Sequence, residues 1–219
     1  MSGPASGQLR ISEIFLSLQG ETNNVGLPTV FVRLTGCPLR CHYCDTAYAF
    51  SGGTLIATDS ILRQVADYGV SHVTVTGGEP LAQPGCLKLL QLLCDAGHAV
   101  SLETSGALDV AGVDPRVSKV LDLKTPASGE TARNLWGNLA HCGARDQVKF
   151  VICDRQDYAW AKLKCDEYDL YAAPVEVLFS PSWGALDGAD LAAWILQDRL
   201  PVRMQLQLHK ILWGDRPGT

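Results

Sequence analysis

The sequence contains no run of about 18 consecutive apolar residues, the length that a transmembrane helix needs. Its first ten residues include Gly, Ser and Pro but no apolar segment typical of a secretory signal peptide. It also lacks a basic run, and 18 Lys and Arg against 23 Asp and Glu give a net charge of −5, which disfavours a nucleic-acid partner. These absences predict a cytoplasmic protein with no membrane or nucleic-acid partner, in which the eight cysteines are reduced thiols.

Repeats, low-complexity tracts and linkers are absent as well, so we expect a single domain over residues 1–219. Short apolar runs alternate with amphipathic stretches, which is typical of strands that alternate with helices. Strands are predicted at residues 29–35, 72–76, 99–103, 119–124, 147–152, 174–180 and 201–209. Helices are predicted from Thr58 or Asp59 to Gly69 and at residues 86–96, 130–142, 155–166 and 188–199. This alternation predicts right-handed crossovers and a parallel sheet.

Side chains alternate along each predicted strand, which gives the sheet one apolar face and one polar face. The polar face carries Arg33, Thr74, Thr76, Ser101, Glu103, Asp122, Lys124, Gln147, Lys149, Glu176, Ser180, Arg203, Gln205, Gln207 and His209. Because buried polar groups need partners, we favour a polar-lined cavity that holds a polar ligand. A one-sided sheet with its polar face in water is the alternative.

A complete eight-unit barrel takes about 250 residues, so the sequence predicts an α/β fold with a partial, TIM-like barrel of about six to seven parallel strands and outer helices. Active residues are expected at the carboxyl ends of the strands.

Three cysteines, Cys37, Cys41 and Cys44, lie in one loop directly after the first predicted strand. The others are scattered singly and are predicted to be core thiols: Cys86, Cys94, Cys142, Cys153 and Cys165. A structural zinc site would need four closed ligands, and the sequence offers no second cysteine pair. In an iron–sulfur cubane, by contrast, three cysteines leave one iron open to a substrate or cofactor.

The loop Cys37-x3-Cys41-x-Tyr43-Cys44 resembles the signature of radical S-adenosylmethionine enzymes. The segment Thr76-Gly77-Gly78-Glu79-Pro80 resembles that family's GGEP motif, although alone it is also compatible with a simple strand-ending turn. The resemblance implies a radical S-adenosylmethionine core in which the cysteines hold a 4Fe–4S cluster. Its open iron would chelate S-adenosylmethionine, which is cleaved to a 5′-deoxyadenosyl radical, and we expect Glu79 to accept hydrogen bonds from the methionine ammonium.

Five ordered segments resemble one group within that family, the enzymes that convert 6-carboxy-5,6,7,8-tetrahydropterin into 7-carboxy-7-deazaguanine with loss of ammonia. The segments are Ser17-Leu18-Gln19-Gly20-Glu21, Arg33-Leu34-Thr35-Gly36-Cys37, Cys44-Asp45-Thr46, Leu102-Glu103-Thr104-Ser105-Gly106 and Gln207-Leu208-His209-Lys210. The resemblance implies a carbon–nitrogen lyase of queuosine and 7-deazapurine biosynthesis. It also implies Mg²⁺, a homodimer, and a reduced flavodoxin- or ferredoxin-type electron donor.

The same resemblance assigns roles to individual residues. The cluster ligands would be Cys37, Cys41 and Cys44, and Thr46 would bind Mg²⁺. S-adenosylmethionine would contact Tyr43, Cys44, Asp45, Gly78, Lys124, Thr125 and Pro126. The pterin would contact Leu18, Gln19, Gly20, Arg33, Thr76 and His209, so residues from about 8 to 28 would form a substrate-binding segment.

Some of these roles have alternatives. His209, expected to end the last strand, is equally compatible with a structural histidine. No general acid or base is assigned: Glu103 is a candidate by its position, but an ion pair with Lys124 or Arg33 would explain it as well.

The sequence departs from some relatives, which end shortly after the His-Lys pair and bind substrate through their C-terminal carboxylate. Here residues 213–219 form a C-terminal extension after His209, and we expect Asp215 to replace that carboxylate. Two other functions stay open. A radical activase acting on a protein glycine would need the cysteine loop and the GGEP motif but not Gln19, Thr46 or His209, and the third possibility is a non-enzymatic zinc module.

Overall fold

The computed structural model describes residues 7–216 and 218. Over these residues the strands are β1 (Gln8–Leu18), β2 (Pro28–Leu34), β3 (Thr54–Ala57), β4 (His72–Gly77), β5 (Ala99–Thr104), β6 (Ser118–Leu123), β7 (Gln147–Ile152), β8 (Glu176–Pro181) and β9 (Arg203–Met204). The α-helices are α1 (Thr58–Asp67), α2 (Cys86–Asp95), α3 (Arg155–Glu167), α4 (Gly188–Asp198) and α5 (Leu208–Trp213). Short 3₁₀ turns occupy Ala47–Phe50, Pro80–Ala82, Pro126–Ser128, Thr131–Arg133 and Trp136–His141.

The nine described strands form one sheet in the order β3-β1-β2-β4-β5-β6-β7-β8-β9. Neighbours from β2 to β9 are parallel. In contrast, β1 pairs antiparallel with both β2 and β3. The sheet has two edges, β3 and β9, and so does not close. This arrangement confirms the predicted α/β fold with a partial parallel barrel.

The apolar face of the sheet packs against the helices, as the alternation predicts. One core cluster joins β2, where Val30, Val32 and Leu34 are fully buried, to α1 and α2. A second cluster joins β7 and β8 to α3 and α4 through side chains such as Phe150 and Phe179. Because this face is filled by helices, the polar side chains of the same strands point away from them.

The predicted helix over residues 130–142 is wrong. This stretch forms two 3₁₀ turns, because two asparagine side chains bind backbone groups of other segments. Asn134 accepts from Lys124 N at 2.8 Å and donates to Lys124 O at 2.9 Å. Asn138 accepts from Val110 N and donates to two carbonyl groups of the 106–108 loop. These bonds hold the segment against the barrel in a non-helical path.

The predicted strand over residues 201–209 is also wrong over most of its length. Only Arg203–Met204 pairs with β8, and the chain then turns into α5. Gln207, just before α5, donates to Glu21 at 2.8 Å and so leaves the sheet. His209 therefore lies in a helix and does not end the last strand.

The prediction also missed the two antiparallel strands, β1 and β3. Gln8–Leu18 lies in the segment expected to bind substrate, and it places that segment along β2. No helix within the described residues is both long and apolar enough to cross a membrane.

Candidate active site

A cavity of about 570 Å³ lies at the carboxyl ends of the parallel strands. Its wall combines the cysteine loop after β2 with Thr76, Glu103, Asp122 and Lys149 of β4 to β7, so part of the predicted polar face lines a cavity. The predicted site residues in this wall are Leu18, Gln19, Gly20, Arg33, Cys37, Cys41, Tyr43, Cys44, Asp45, Thr46, Thr76, Gly78, Lys124 and His209. One cavity therefore joins the two groups of residues that the sequence assigned to different ligands.

The cysteine loop places three free, partly buried thiols on this wall. Its backbone is fixed by Arg40, which donates to Cys37 O at 2.8 Å, and by Cys44 N, which donates to Cys41 O at 3.2 Å. Burial raises the pKa of all three thiols, that of Cys41 to about 11, although the Lys124 ammonium opposes the rise. Iron binding must therefore displace protons from these thiols.

Gly78 packs directly against the start of this loop. A Cβ atom at this position would lie 2.4 Å from Gly36 O and 2.8 Å from Cys37 Cβ, so only glycine fits without displacing the loop. The second glycine of the GGEP motif thus brings the end of β4 into contact with the cysteine loop.

Glu79, which follows the two glycines of the GGEP motif, is held by neighbouring segments of the chain. It is fully buried, and its carboxylate accepts hydrogen bonds from Leu81 N, the Thr104 hydroxyl, and both the backbone and hydroxyl of Ser105. Because these donors use the carboxylate, Glu79 joins the ends of β4 and β5 and does not form part of the cavity wall. Its contact with the methionine ammonium stays a prediction of the family resemblance.

Lys124 reaches the cavity at the end of β6, but its two neighbours do not. Its Nζ lies 3.0 Å from Asp122 Oδ1, and although burial opposes it, this carboxylate keeps the pKa of Lys124 raised. Thr125 is fully buried and donates to Val151 O, and Pro126 begins a 3₁₀ turn outside the cavity wall.

Gln19, predicted to contact substrate, is held at the cavity wall by two barrel strands. Its Nε2 donates to Thr74 Oγ1 at 3.0 Å and to Glu103 Oε1 at 3.4 Å, and Thr76 donates to Glu103 Oε2 at 3.2 Å. Burial and the nearby Glu21 charge raise the pKa of Glu103. Within the described part of the chain Glu103 forms no ion pair, so the alternative of an ion pair with Lys124 or Arg33 is not found.

His209 reaches the cavity from α5. Its ring lies so close to Gly20 that a Cβ atom there would be 2.0 Å from His209 Nδ1. Burial lowers the pKa of His209, although the Glu21 and Asp45 carboxylates oppose the fall. The N-terminal loop and the C-terminal helix therefore meet at this glycine.

The pair Asp45 and Thr46 follows the last cysteine of the loop. Thr46 Oγ1 donates to Asp45 Oδ1 at 2.7 Å. Burial alone would raise the pKa of Asp45, but this hydrogen bond and the Lys210 charge hold it below its usual value. Lys210 Nζ donates to Asp215 Oδ1 at 2.6 Å, so the C-terminal extension also reaches the cavity.

Comparison with known proteins assigns the family. The model of the Radical SAM superfamily matches residues 31–124. The chain is 45% identical over 209 residues to the 7-carboxy-7-deazaguanine synthase of Chlorobaculum tepidum, covering 94% of each chain. It is 40% identical over 219 residues to that of Koribacter versatilis, covering 94% of this chain and 97% of the relative. The chain belongs to the 7-carboxy-7-deazaguanine synthase family.

The fold agrees with this assignment to the 7-carboxy-7-deazaguanine synthase family. QueE from Escherichia coli superposes with a TM-score of 0.77 at 23% sequence identity, covering 92% of this chain and 95% of that chain. Radical S-adenosylmethionine enzymes hold a 4Fe–4S cluster and S-adenosylmethionine, so this family membership implies both groups here.

The donor set fits the cluster that the synthase family implies. Over residues 7–216 and 218, no three His, Cys, Asp or Glu side chains converge as ligands of a single metal ion. Each thiolate of a cubane binds a different iron, so three separate thiols on one wall suit a cluster better than a single zinc ion.

Sequence reasoning missed one ion pair of the synthase site, between Lys149 and Glu21, which both line the cavity. Although burial opposes it, the Glu21 and Asp122 carboxylates raise the pKa of Lys149. Lys149 lay on the predicted polar face and Glu21 in a segment that resembled the family. Only their pairing across the barrel lacked a signal in the sequence.

Proposed function

We propose that this chain is a 7-carboxy-7-deazaguanine synthase that contracts the ring of 6-carboxy-5,6,7,8-tetrahydropterin and releases ammonia, a step of queuosine and 7-deazapurine biosynthesis. One observation carries the proposal: the cysteine loop shares a single cavity with Gln19, Arg33 and His209. A cofactor at the loop and a pterin at the opposite wall would therefore lie side by side, as a reaction between them requires.

In this proposal Cys37, Cys41 and Cys44 hold the cluster. Tyr43, Cys44, Asp45, Gly78 and Lys124 lie along S-adenosylmethionine, with Thr125 and Pro126 supporting them from behind the cavity wall. When bound, the cluster and S-adenosylmethionine supply a 5′-deoxyadenosyl radical that removes a hydrogen atom from C6 of the pterin.

The opposite wall binds and orients the pterin. Gln19 is oriented in this wall, because its amide donates to Thr74 and Glu103 and accepts from Glu21 N, and its carbonyl keeps one acceptor position for a pterin edge. Arg33 presents guanidinium donors that match a carboxylate. Leu18, Gly20, Thr76 and His209 complete this wall.

Glu103 is the carboxyl group that we propose for proton transfer to or from the substrate. It lines the cavity, it is held by hydrogen bonds to neutral groups, and its pKa is raised by burial. A raised pKa brings a carboxyl group closer to the range in which it both accepts and donates protons near neutral pH.

Thr46 is proposed to bind Mg²⁺. Its hydroxyl is a neutral oxygen ligand beside the Asp45 carboxylate, and Mg²⁺ takes oxygen ligands while keeping several waters. The homodimer, the reduced flavodoxin- or ferredoxin-type donor and the cytoplasmic location stay predictions of the family resemblance.

The alternative of a glycine-radical activase is less well supported. Such an enzyme would use the cysteine loop, but it has no need of Gln19, Thr46 and His209 in the same cavity.

An anaerobic assay tests the proposal. Reconstituted protein, reductant, S-adenosylmethionine, Mg²⁺ and 6-carboxy-5,6,7,8-tetrahydropterin should yield ammonia and 7-carboxy-7-deazaguanine in equal amounts. Omitting Mg²⁺ tests the role of Thr46. S-adenosylmethionine cleavage without either product would remove the proposed function.

A further inference from the structure

Arg33 is held from one side by a residue that the family resemblance does not assign. A register shift in β1 between Ile11 and Glu13 places Glu13 directly opposite Arg33 on β2. Arg33 Nε donates to Glu13 Oε1 at 2.7 Å, and Tyr48 Oη donates to the same oxygen at 2.7 Å. A bulge of this kind re-aims a side chain, and here it aligns a carboxylate with one edge of the guanidinium.

Two aromatic rings also make cation–π contacts with the same guanidinium. The Arg33 Cζ atom lies 5.9 Å from the ring centroid of Phe15 and 5.9 Å from that of Tyr48. Phe15 is itself stacked on Phe31, with ring centroids 5.1 Å apart. Cation–π contacts and one ion pair therefore restrict the rotation of the Arg33 side chain.

The ion pair uses only the Nε edge of Arg33. Among residues 7–216 and 218, neither Nη atom has a hydrogen-bond partner. Arg33, Phe15 and Tyr48 line the cavity, whereas Glu13 does not belong to its wall. The fork of two Nη groups is thus left for a ligand in the cavity, and a carboxylate is the ligand that matches it.

We infer that Glu13 is a positioning residue, which aims the Nη fork of Arg33 at the carboxylate of the pterin substrate. This inference rests on the proposed function, because it assigns the carboxylate end of that substrate to Arg33. Glu13 acts through Arg33 and does not touch the substrate.

A carboxylate beside Arg33 also offsets its positive charge. Glu13 therefore has two possible effects on substrate binding, one through its charge and one through the position that it gives Arg33. If charge alone mattered, removing the carboxylate would strengthen the binding of an anionic substrate. If positioning matters, an uncharged acceptor in the same place should suffice. Glu13→Gln keeps an oxygen that accepts from Arg33 Nε, whereas Glu13→Ala does not.

The test compares these two variants with the wild type as reconstituted enzymes. Glu13→Ala should raise the KM for 6-carboxy-5,6,7,8-tetrahydropterin roughly tenfold, the size expected when one charge-assisted hydrogen bond is lost. Its iron content and kcat should change little, and Glu13→Gln should restore KM to within about threefold of wild type. Asp95→Asn is the matched control, because Asp95 also pairs with an arginine at 2.7 Å but lies away from the cavity.

A binding measurement distinguishes positioning from a general loss of structure. Fluorescence titration with 6-carboxypterin and with unsubstituted pterin gives the preference for the carboxylated ligand. Glu13→Ala should reduce that preference roughly tenfold, and Tyr48→Phe, which keeps the ring but removes a donor to Glu13, should reduce it less. The inference would be overturned if Glu13→Ala weakened the binding of both ligands equally, or if its KM and its preference were unchanged. Turnover by the wild type would in that case leave the proposed function intact. No turnover by the wild type would remove both.

Discussion

Lys149 on β7 and Glu21 in the loop after β1 form an ion pair in the cavity wall, with 9% and 11% of their side chains exposed. Glu21 also accepts from Gln207, which precedes α5. One carboxylate therefore joins the barrel, the N-terminal loop and the C-terminal helix. The walls that would hold a pterin depend on this contact.

Breaking the ion pair should cost both stability and substrate binding. Lys149→Met leaves the Glu21 carboxylate without its cation, which costs about 3 kcal/mol for a buried pair. For a chain of this size the fall in Tm is roughly 6–12 °C, measurable by circular dichroism. The KM for the pterin should rise as well, because the N-terminal loop loses its anchor.

Lys119→Met is the matched control for this prediction. Lys119 pairs with Asp146 at 3.0 Å and is equally buried, but it is not part of the cavity wall. It should lower Tm while leaving the KM of the folded enzyme unchanged. Equal effects of the two variants on KM would show that the Glu21 contact has no special role in the site.

The cysteines should divide into three that hold the cluster and five that do not. Cys41→Ala should lose iron, sulfide and activity together, since a cubane with two protein ligands is poorly held. Cys94→Ala should keep all three, because Cys94 packs against the core under α2. Iron and sulfide analysis after anaerobic reconstitution measures this, and a need for Cys94 would contradict the division.

Gly20 should tolerate no side chain. Gly20→Ala would place a methyl group 2.0 Å from His209 Nδ1, so the ring or the loop must move. A displacement of about 1 Å in a positioning group lowers kcat/KM by roughly 100-fold. Gly137→Ala is the control, because a Cβ atom there meets no atom within 4 Å. Full activity of Gly20→Ala in steady-state assays would show that the close contact between Gly20 and His209 is unimportant for catalysis.

His209 should make the protein less stable in mild acid. Burial lowers its pKa below the usual 6.5, so in the window just below 6.5 the unfolded chain binds more protons than the folded chain. Tm should therefore fall as the pH drops through that window, and His209→Gln should flatten the fall. The raised pKa of Glu103 has the opposite effect on stability, which it increases as the pH falls. Because Glu103 is present in both proteins, its effect cancels when their Tm values are compared. Parallel Tm curves for the two proteins would contradict this assignment.

The sequence predicted the parallel strands and the cysteine loop well because both have local signals. Alternation along β2 separates Val30 and Val32 from Arg33, and the short spacing of Cys37, Cys41 and Cys44 places the three thiols on one loop. The position of His209 and the hydrogen-bond partners of Glu79 were predicted less well. The position of His209 follows from the hydrogen bond between Gln207 and Glu21, 186 residues apart in sequence, where the chain leaves the sheet. The Glu79 carboxylate is held by donors from β5, such as the Thr104 hydroxyl. The false helix at 130–142 has the same cause, since its asparagines bind backbone groups outside the segment.

The central claim is that one cavity brings the radical cofactor and C6 of the pterin into contact. It is tested most directly with 6-carboxy-5,6,7,8-tetrahydropterin that carries deuterium at C6. Mass spectrometry of the 5′-deoxyadenosine formed during turnover should find deuterium transferred from the substrate. Formation of 7-carboxy-7-deazaguanine with no deuterium in the 5′-deoxyadenosine would contradict the account.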